Sequence, residues 1–477
     1  MGEAKTDFFP KSKTGIDGLD EITGGGFPKG RPTLICGSAG CGKTLMGLQF
    51  LVKGITEYNE PGVFMSFEET AKDLTQNVRS LGYNLDTLIK QNKLKIDHIQ
   101  IEKNEIEETG EYDLEGLFIR LNHAIDTVGA KRVVLDTIES LFGGLDNATI
   151  LRSELRRLFQ WLKDKGVTAI ITGERGESSL TRQGLEEYVS DCVILLDFRV
   201  IDQIATRRLR IVKYRGSTHG TNEYPFLIDE EGISVLPITS LKLEHKTSAD
   251  VLSYGHEGLN KLFGKGGFFR GTSTLITGTA GTSKTTLAAY FALSSCLRKE
   301  STLFFSFEES PDQLSRNMAS IGINLQPYIK SKLLYVHSSR PSLQGLEMHL
   351  LVLHKLIKEL KPRTVIVDPI SSLVTVGNAS EVRAMLVRLM DMLKMNQINA
   401  LFTSLTHTRA NDYSDLTVDA VSSLADTWIE VSNAEKNDMR TRILSIVKSR
   451  GMGHSNQAWK FQIQDKGIKL IKSKEKA

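Results

Sequence analysis

Short apolar runs alternate along the chain with segments whose apolar positions have helical spacing. Residues 32–36 form one such run before a glycine-rich loop, and residues 45–52 after the loop have the spacing of a helix. The later segments are, in chain order, predicted strand 62–66, helix 71–81, strand 132–135, helix 150–163, and strands 168–172, 192–197, 209–214 and 226–228. This alternation predicts an α/β fold with a mostly parallel central sheet and helices on both faces.

The chain repeats itself once. Gly15–Leu19 recurs 240 residues later as Gly255–Leu259, and the loop Gly37–Thr44 recurs 241 residues later as Gly278–Thr285. Two further blocks recur in the same order, Ser66–Glu69 as Ser306–Glu309 and Lys213–Gly216 as Lys448–Gly451. Ordered blocks at nearly one offset indicate a duplicated domain of about 235 residues. We expect domains at 1–240 and 251–477, joined by a polar linker at 241–250.

Composition excludes several classes of protein. The 477 residues are 40% hydrophobic and 25% charged, with a formal net charge of +3, so neither general disorder nor a strong field for nucleic acid or anionic lipid is expected. The four cysteines are too scattered for a disulfide framework or a zinc site, which favours reduced thiols in a cytoplasmic protein. No apolar stretch reaches the roughly 20 residues that a membrane span needs.

The loop Gly37–Thr44 fits the pattern G-x-x-x-x-G-K-[ST] between a predicted strand and a predicted helix. Such a loop wraps backbone N–H groups around phosphates, so we expect ATP here, with Lys43 at the β- and γ-phosphates and Thr44 on Mg²⁺. The predicted nucleotide-binding residues are Gly37, Gly40, Cys41, Gly42, Lys43, Thr44 and Leu45, and in the second copy Gly278, Gly281, Thr282, Ser283, Lys284, Thr285 and Thr286.

The second loop departs from the pattern at Ser283, where the first loop has Gly42. If this position needs a positive φ, a serine costs about 1 kcal/mol or more unless the site compensates. Because Lys284 and Thr285 are kept, we still expect nucleotide binding in the second copy.

Carboxylates follow the predicted strands around each loop. Asp136 and Asp368 end apolar runs, where they can bind Mg²⁺ directly or through water, and no glutamate follows either of them. The bases are therefore expected in the pairs Glu68-Glu69 and Glu308-Glu309. Adjacent strand residues point to opposite faces, so one glutamate of each pair should face the nucleotide. The predicted metal ligands are Thr44, Asp136, Thr285, Glu308 and Asp368.

Two basic segments lie late in each copy. Lys213 and Arg215 share one face of a predicted strand, as do Lys448 and Arg450. Such cations can reach a neighbouring subunit's γ-phosphate as an arginine finger, or they can belong to a solvated edge strand. The acidic stretch 102–115 is predicted to be a solvated loop.

These motifs, above all the duplicated loop, the Ser-Phe-Glu-Glu blocks and the Lys-x-Arg-Gly segments, resemble those of the KaiC family, two-domain ATPases of the circadian clock with tandem RecA-like P-loop domains. The resemblance covers about residues 12 to 470. It implies a homohexamer with ATP between subunits, and Glu68 and Glu308 as catalytic bases. It also implies nucleotide contacts, the basic ones from the adjacent subunit, for Ser80, Lys213, Arg215, Ser217 and His219, and for Arg442, Lys448, Arg450 and His454.

The resemblance further implies autophosphorylation in the second domain. The matching acceptors are Ser422 and Ser423, with Thr417 as a lesser site, although the family pair is typically Ser-Thr. The longer tail through which clock KaiC engages its activator KaiA has no counterpart after Ile471, so we expect no KaiA-type control. A KaiB-like partner stays open, as does a role in stress response or signalling.

Two other interpretations stay open at this point. A RecA- or RadA-like DNA-dependent ATPase would use a ring pore, which the polar segment 173–191 with Arg175 and Arg182 could line. The near-neutral charge and the missing zinc cysteines count against it. The third is a binding scaffold whose second copy holds nucleotide without reacting, as Ser283 permits.

Overall fold

The computed structural model describes residues 9–99, 114–142, 148–176, 180–181, 190–201, 204–237, 247–406, 421–436, 439–464 and 467–472. Thr417 and Arg182, and most of the acidic stretch 102–115, lie outside this part of the chain. The chain divides into two compact units, Met1–Thr239 and Ser240–Ala477.

The first unit is built from eleven described strands and six described helices. Its strands are β1 (Lys11–Ser12), β2 (Phe27–Pro28), β3 (Pro32–Gly37), β4 (Gly62–Ser66), β5 (Leu94–His98), β6 (Arg132–Asp136), β7 (Thr168–Glu174), β8 (Cys192–Ile201), β9 (Ile204–Tyr214), β10 (Glu223–Asp229) and β11 (Gly232–Val235). Its helices are α1 (Leu19–Ile22), α2 (Lys43–Tyr58), α3 (Ala71–Asn77), α4 (Leu85–Lys90), α5 (Glu115–Val128) and α6 (Ala148–Asp164).

The second unit repeats this plan within the described residues. Its strands are β12 (Val251–Leu252), β13 (Phe268–Phe269), β14 (Ser273–Gly278), β15 (Thr302–Ser306), β16 (Leu334–Ser338), β17 (Thr364–Asp368), β18 (Asn399–Leu405), β19 (Thr427–Lys436), β20 (Met439–Ser449), β21 (Trp459–Gln464) and β22 (Gly467–Lys472). Its helices are α7 (Glu257–Asn260), α8 (Lys284–Leu297), α9 (Pro311–Ala319), α10 (Gln326–Lys330), α11 (Leu346–Leu360) and α12 (Ala379–Met395).

Each unit contains one nine-stranded sheet, and the two sheets have the same topology. The strand order is β5-β4-β6-β7-β3-β8-β9-β10-β11 in the first unit and β16-β15-β17-β18-β14-β19-β20-β21-β22 in the second. In this order, the first six strands of each sheet, which end with β8 and β19, run parallel to one another. The last three strands of each sheet run antiparallel to their neighbours. The predicted α/β fold of tandem RecA-like domains, with a mostly parallel sheet, is confirmed.

Helices cover both faces of the first sheet because the apolar residues of its strands alternate between two cores. Leu34 and Cys36 pack in one core with α5 and α6, and Ile35 between them packs in the other with α2. The segment predicted as one helix at 71–81 is divided into α3 and a 3₁₀ turn at Arg79–Leu81. Among the described residues, none of the helices combines the length and apolar character that crossing a bilayer requires.

Candidate functional site: two phosphate-binding loops with converging carboxylates

Each glycine-rich loop wraps around its own lysine. Nζ of Lys43, the first residue of α2, donates to the carbonyls of Gly37 at 2.8 Å and Ser38 at 3.0 Å. Lys284, the first residue of α8, makes the same two contacts in the second unit at 2.8 and 2.9 Å. Because the loop, the helix N-terminus and the lysine converge at the end of a buried strand, each site suits a phosphate chain.

The loop positions before the two lysines are both left-handed. Gly42 has φ 106° and Ser283 has φ 74°, so the serine adopts a conformation that favours glycine. Of the other predicted loop residues, Cys41, Thr282 and Thr286 are buried and Leu45 is half-buried. Thr282 Oγ1 donates to the carbonyl of Thr279 at 2.7 Å, which tightens the second loop.

The first loop meets an aspartate at the end of β6. Thr44 Oγ1 donates to Asp136 Oδ2 at 2.8 Å, and Thr172 on β7 donates to Oδ1 of the same carboxylate. Burial raises the pKa of Asp136, and the two threonine hydrogen bonds partly offset that rise. Adjacent hydroxyl and carboxylate oxygens are the donors that Mg²⁺ prefers, so this pair fits a magnesium ion.

The same arrangement recurs at the end of β17. Thr285 and Thr403 both donate to Asp368, which is buried like its counterpart Asp136. Burial raises the pKa of Asp368 to about 6, against the lowering effect of the two hydroxyls. The second site therefore also presents paired hydroxyl and carboxylate oxygens beside its loop.

The first glutamate of each pair lies near the turn that follows the aspartate strand. Glu68 Oε1 accepts hydrogen bonds from Thr137 Oγ1 at 2.7 Å and Ser140 Oγ at 2.8 Å. Glu308 Oε1 accepts one from Ser372 Oγ at 3.3 Å. Both carboxylates are thus oriented by hydroxyl groups near the aspartates, at the carboxyl edge of the sheet, where α/β folds bind their ligands.

The second glutamate of each pair turns toward the following helix. Asn77 Nδ2 donates to Glu69 Oε2 at 2.9 Å, and Asn317 Nδ2 donates to Glu309 Oε1 at 3.1 Å. Burial raises the pKa of Glu69, and the negative charge of Asp136 adds to this rise. The two members of a pair therefore have different partners, although both lie just after the end of the strand, where the alternation of strand side chains does not apply.

The basic segment of the first unit lies at the opposite end of the sheet from its own loop. Thr33, at the start of β3, pairs with Cys192, and Cys192 pairs with Tyr214. Lys213 and Arg215 are next to this position, whereas the loop begins at the other end of β3. Arg215 NH1 lies 3.7 Å from Asp191 Oδ1. About four residues of strand, roughly 13 Å, separate the two ends.

The other predicted nucleotide contacts of the first unit are scattered. Ser217 Oγ accepts a hydrogen bond from Lys11 Nζ at 2.6 Å, and His219 stacks on Tyr214 with ring centroids 6.5 Å apart. Ser80 is exposed in the 3₁₀ turn after α3. Ser217 and His219 follow Lys213 closely in the chain, whereas Ser80 lies after α3, far from them in the sequence.

The structure separates Arg442 from the other predicted cations of the second unit. Lys448 pairs with Trp428, near the start of β14, so it lies far from the loop, and Arg450 follows it. Arg442 lies at the other end of β20, where its Nε donates to the carbonyl of Gly281 in the loop at 3.3 Å. Arg442 is thus next to its own loop, whereas the resemblance implied a contact from the adjacent subunit. His454 forms an isolated β-bridge with Phe263, and its Nδ1 lies 3.3 Å from the carbonyl of Ser455.

Sequence reasoning missed the first-unit counterpart of Arg442. Arg207 precedes Arg442 by 235 residues, the same offset that relates Lys213 to Lys448. Its guanidinium lies 4.7 Å from the ring centroid of Phe198, and its charge acts on Cys41, whose pKa is raised by burial. The repeat offset was a sufficient signal to find it.

Ser422 ends a helical segment, and Ser423 begins the short turn that leads to β19. Lys448 Nζ donates to the carbonyl of Ser422, and Arg450 NH2 donates to that of Ser423. The Ser423 side chain is exposed and that of Ser422 half-exposed. The two predicted acceptors thus adjoin the cations at the amino end of the sheet, on the opposite side from the loop of their own unit.

A cavity of about 390 Å³ opens beside the second glutamate pair. Its walls come from the ends of β15 and β16 and from α11, and include Glu308, Glu309, His337, Arg340 and His349. Burial lowers the pKa of both histidines. The edge of the second sheet next to the predicted base therefore has an open cavity lined by both polar and apolar residues.

Comparisons with known proteins show which family this chain resembles. The family model of the KaiC ATPase matches residues 12–240 and 252–475. The circadian clock protein KaiC2 of Synechocystis sp. is 56% identical over 463 residues, which are 97% of this chain and 82% of that protein. The circadian clock oscillator proteins KaiC of Parathermosynechococcus lividus and Synechococcus elongatus are each 36% identical, over 97% and 96% of this chain and 85% and 88% of theirs.

Proposed function

The chain belongs to the KaiC family of nucleotide-binding ATPases, and from this premise we propose that its first unit is a slow ATPase and its second an autokinase. The second unit would transfer the γ-phosphoryl group of ATP to Ser422 or Ser423, and the protein would signal through its phosphorylation and assembly state. The observation that carries this proposal is the recurrence of one complete set of groups, lysine, threonine–aspartate pair and glutamate, in both units.

The proposed assembly is a homohexamer with ATP between subunits. Its support is the position of Lys213 and Lys448, each at the end of the sheet opposite its own loop. A cation so placed serves a nucleotide of another copy better than its own, as an arginine finger does. On this proposal each subunit offers a loop at one edge and cations at the other, and the predicted acceptor serines accompany the cations.

In the transfer step, the Ser422 or Ser423 hydroxyl oxygen attacks the γ-phosphorus. A new P–O bond forms, the bond to the β–γ bridging oxygen breaks, and ADP leaves with that electron pair. Glu308 takes the serine proton, which its position beside the second loop permits. In the first unit Glu68 would take a proton from water instead. Thr44 with Asp136, and Thr285 with Asp368, would hold Mg²⁺, and Glu308 is a further proposed ligand. The bound ion would neutralise phosphate charge.

The proposed partners follow from the family. A KaiB-like protein is the proposed partner, and control by a KaiA-type activator is not proposed. We place the protein in the cytoplasm, in accordance with its four buried free cysteines. Its relatives are named as circadian clock proteins, and a role in timing or in another signalling pathway is proposed for this chain on that ground.

Mass spectrometry of the purified protein after incubation with Mg·ATP tests the autokinase. Phosphate is expected on Ser422 or Ser423 of the unaltered chain and is expected to be lost in Glu308→Gln. The matched control is Glu359→Gln, at an exposed position of α11, which should be phosphorylated normally. ATP hydrolysis without any phosphoserine would overturn the autokinase and leave the first unit as the working site.

The DNA-dependent alternative makes a different prediction for the same protein. A RecA- or RadA-like enzyme should hydrolyse ATP faster with single-stranded DNA, and should bind that DNA more weakly as salt rises. We expect an unchanged rate of hydrolysis at saturating DNA. A rate increase of tenfold or more would favour the DNA-dependent enzyme.

A further inference from the structure

Three consecutive carbonyls near the proposed acceptor serines are each bound by a different cation. Lys448 Nζ donates to the carbonyl of Ser422, Arg450 NH2 to that of Ser423, and Lys394 Nζ to that of Leu424 at 3.2 Å. Lys394 belongs to α12, Lys448 to β20, and Arg450 is the first residue after β20. Two separate elements thus bring positive charge to one turn.

Within the described part of the chain, one carboxylate lies at this turn beside the three cations. Asp426 pairs with Lys394 at 3.1 Å, and its Oδ2 also accepts hydrogen bonds of 2.9 Å from the backbone N–H and the hydroxyl of Ser273. One carboxylate therefore faces three cations. Burial lowers the pKa of Lys448, and the charges of Arg450 and Lys394 lower it further while Asp426 raises it. Among the residues that the structure describes, three cations and one carboxylate meet here, and a phosphate is an anion that such cations bind.

The first copy carries a fixed negative charge at the equivalent sequence position. Asp191 corresponds to Asp426, since Lys163 pairs with Asp191 at 2.7 Å and the backbone N–H of Arg215 donates to its carbonyl at 2.9 Å, as Arg450 does to Asp426 at 2.8 Å. Counting back four residues from each aspartate gives Ser422 in the second copy and Glu187 in the first. At this aligned position the first copy has a glutamate in its sequence and the second a serine that phosphorylation would make anionic.

We propose that Lys394, Lys448 and Arg450 form a phosphoserine-binding cluster that receives the phosphate once Ser422 or Ser423 is modified. A side chain and its own carbonyl leave the same Cα, so a cation at the carbonyl is within reach of the phosphate after a small rotation. Charge-assisted bonds to phosphate are stronger than those to a neutral carbonyl, so the cations move from one acceptor to the other.

This inference rests on the proposed function and adds a regulatory consequence to it. Lys448 and Arg450 are also the cations proposed to reach the nucleotide of a neighbouring copy. A phosphate at Ser422 competes with that nucleotide for the same two side chains. Phosphorylation of one subunit therefore weakens the cationic contact to the ATP of the next.

Phosphorus NMR of a full-length chain with phosphoserine placed at position 422 during translation tests the cluster. The second pKa of free phosphoserine is about 6, and neighbouring cations favour the dianion. We expect this pKa to be lower by half a unit or more in the protein, and to return toward 6 in the double variant Lys448→Gln, Arg450→Gln. The matched control is Lys460→Gln, an exposed lysine on β21, which should leave the lowered value unchanged.

Two further variants keep the test decisive if the double variant fails to fold. The charge-conserving Lys448→Arg should keep the lowered pKa, and Lys394→Gln should raise it in part. A phosphate that titrates at 6 or above in the unaltered chain, or that is insensitive to all of these changes, overturns the cluster.

The result is separable from that of the autokinase test. Because the phosphate is placed during translation, the titration does not depend on phosphoryl transfer. A lowered pKa without autophosphorylation would keep the cluster and reject the proposed function. Autophosphorylation with an unshifted phosphoserine pKa would support the proposed function and reject the cluster.

Discussion

Thr137 donates a hydrogen bond of 2.7 Å to Glu68, the proposed base of the first unit. The position that matches Thr137 in the second unit is Pro369, which has no hydroxyl to offer Glu308. The first glutamate is therefore held by two hydroxyl groups and the second by Ser372 alone among the hydrogen bonds found in the described residues. The better-oriented base is that of the proposed ATPase.

Replacing Thr137 by valine should slow ATP hydrolysis in the first unit about fivefold. The variant removes one hydrogen bond that orients Glu68, and a net bond of about 1 kcal/mol corresponds to that factor in rate. Hydrolysis is measured in a Glu308→Gln background, so that the first unit alone contributes. Thr127→Val, whose hydroxyl bonds only to its own helix at His123, is the control and should leave the rate unchanged. An unchanged rate in Thr137→Val would show that Thr137 does not position the base.

Ser283→Gly should raise the free energy of unfolding of the second unit by up to about 1 kcal/mol. Ser283 has φ 74°, where a Cβ is strained and glycine is not. Unfolding can be followed through Trp428 and Trp459 after Trp161 is changed to phenylalanine. A loss of stability would show that the serine hydroxyl compensates for the strain.

Gly42→Ser, the reverse exchange in the first unit, should lower the free energy of unfolding by more than Ser283→Gly raises it. Gly42 has φ 106°, and a Cβ built there would lie 3.0 Å from Cδ1 of Ile228. Gly42→Ser is therefore expected to destabilise the first unit by about 1–3 kcal/mol. Equal and opposite effects of the two exchanges would contradict this reasoning.

Gly54→Ala should destabilise the first unit, although alanine is the better helix former. A Cβ at Gly54, in the middle of α2, would lie 2.4 Å from Cδ of Arg132, which is 1% exposed. Arg132 is fixed by Glu60 at 2.7 Å and by two backbone carbonyls, so it cannot move aside. We expect a loss of about 1–3 kcal/mol, measured through Trp161 fluorescence.

The control for this prediction is Gly116→Ala in α5. A Cβ there meets nothing within 4 Å, so the change should stabilise the unit by up to about 1 kcal/mol. If both substitutions stabilised the protein, the packing of Arg132 against Gly54 would not limit the helix. The second unit has Ser295 and Thr364 at the matching positions, joined by a hydrogen bond of 2.9 Å.

Glu223→Gln should remove a small, pH-dependent stabilisation of the first unit. Hydrogen bonds from Arg199 lower the pKa of Glu223, and Arg208 adds to this. A lowered pKa in the folded state stabilises above the unfolded value of about 4.3, and this contribution is lost as pH falls through the folded value. The side chain is 34% exposed, so the loss at pH 7 should stay below about 1 kcal/mol.

The measurement compares the unfolding temperatures of Glu223→Gln and the unaltered chain between pH 7 and pH 3. The difference between the two proteins should shrink as the pH falls below about 4. High salt should also reduce it, since the ion pairs are partly exposed. A difference that grew toward acid pH would contradict the sign of the pKa shift.

Some of the site residues could be predicted because they are neighbours in the sequence. The loop Gly37–Thr44 is a local motif, and the Glu68-Glu69 pair follows an apolar strand directly. The repeat offset then transferred each of these to the second copy. Helix α5 was not predicted, although its buried apolar residues at 117, 118, 121, 124, 125 and 128 have helical spacing.

The partners of these residues could not be predicted from spacing. Thr172 bonds to Asp136 across 36 positions, and Asn77, the last residue of α3, bonds to Glu69, which precedes that helix. Arg442 was grouped with Lys448, six residues away, yet six residues of strand place the two at opposite ends of the sheet. Such relations depend on strand order and register.

The sequence by itself determined the α/β class, the duplication, the phosphate-binding loops and the carboxylates near them, because each is a local pattern whose physical demands are met within a few residues. The tertiary structure alone decided which hydroxyls hold Glu68 and Asp136, which edge each cation occupies, and that three cations meet the turn at Ser422. These features join residues far apart in the chain, and their distances are set by the packing of strands and helices around two cores.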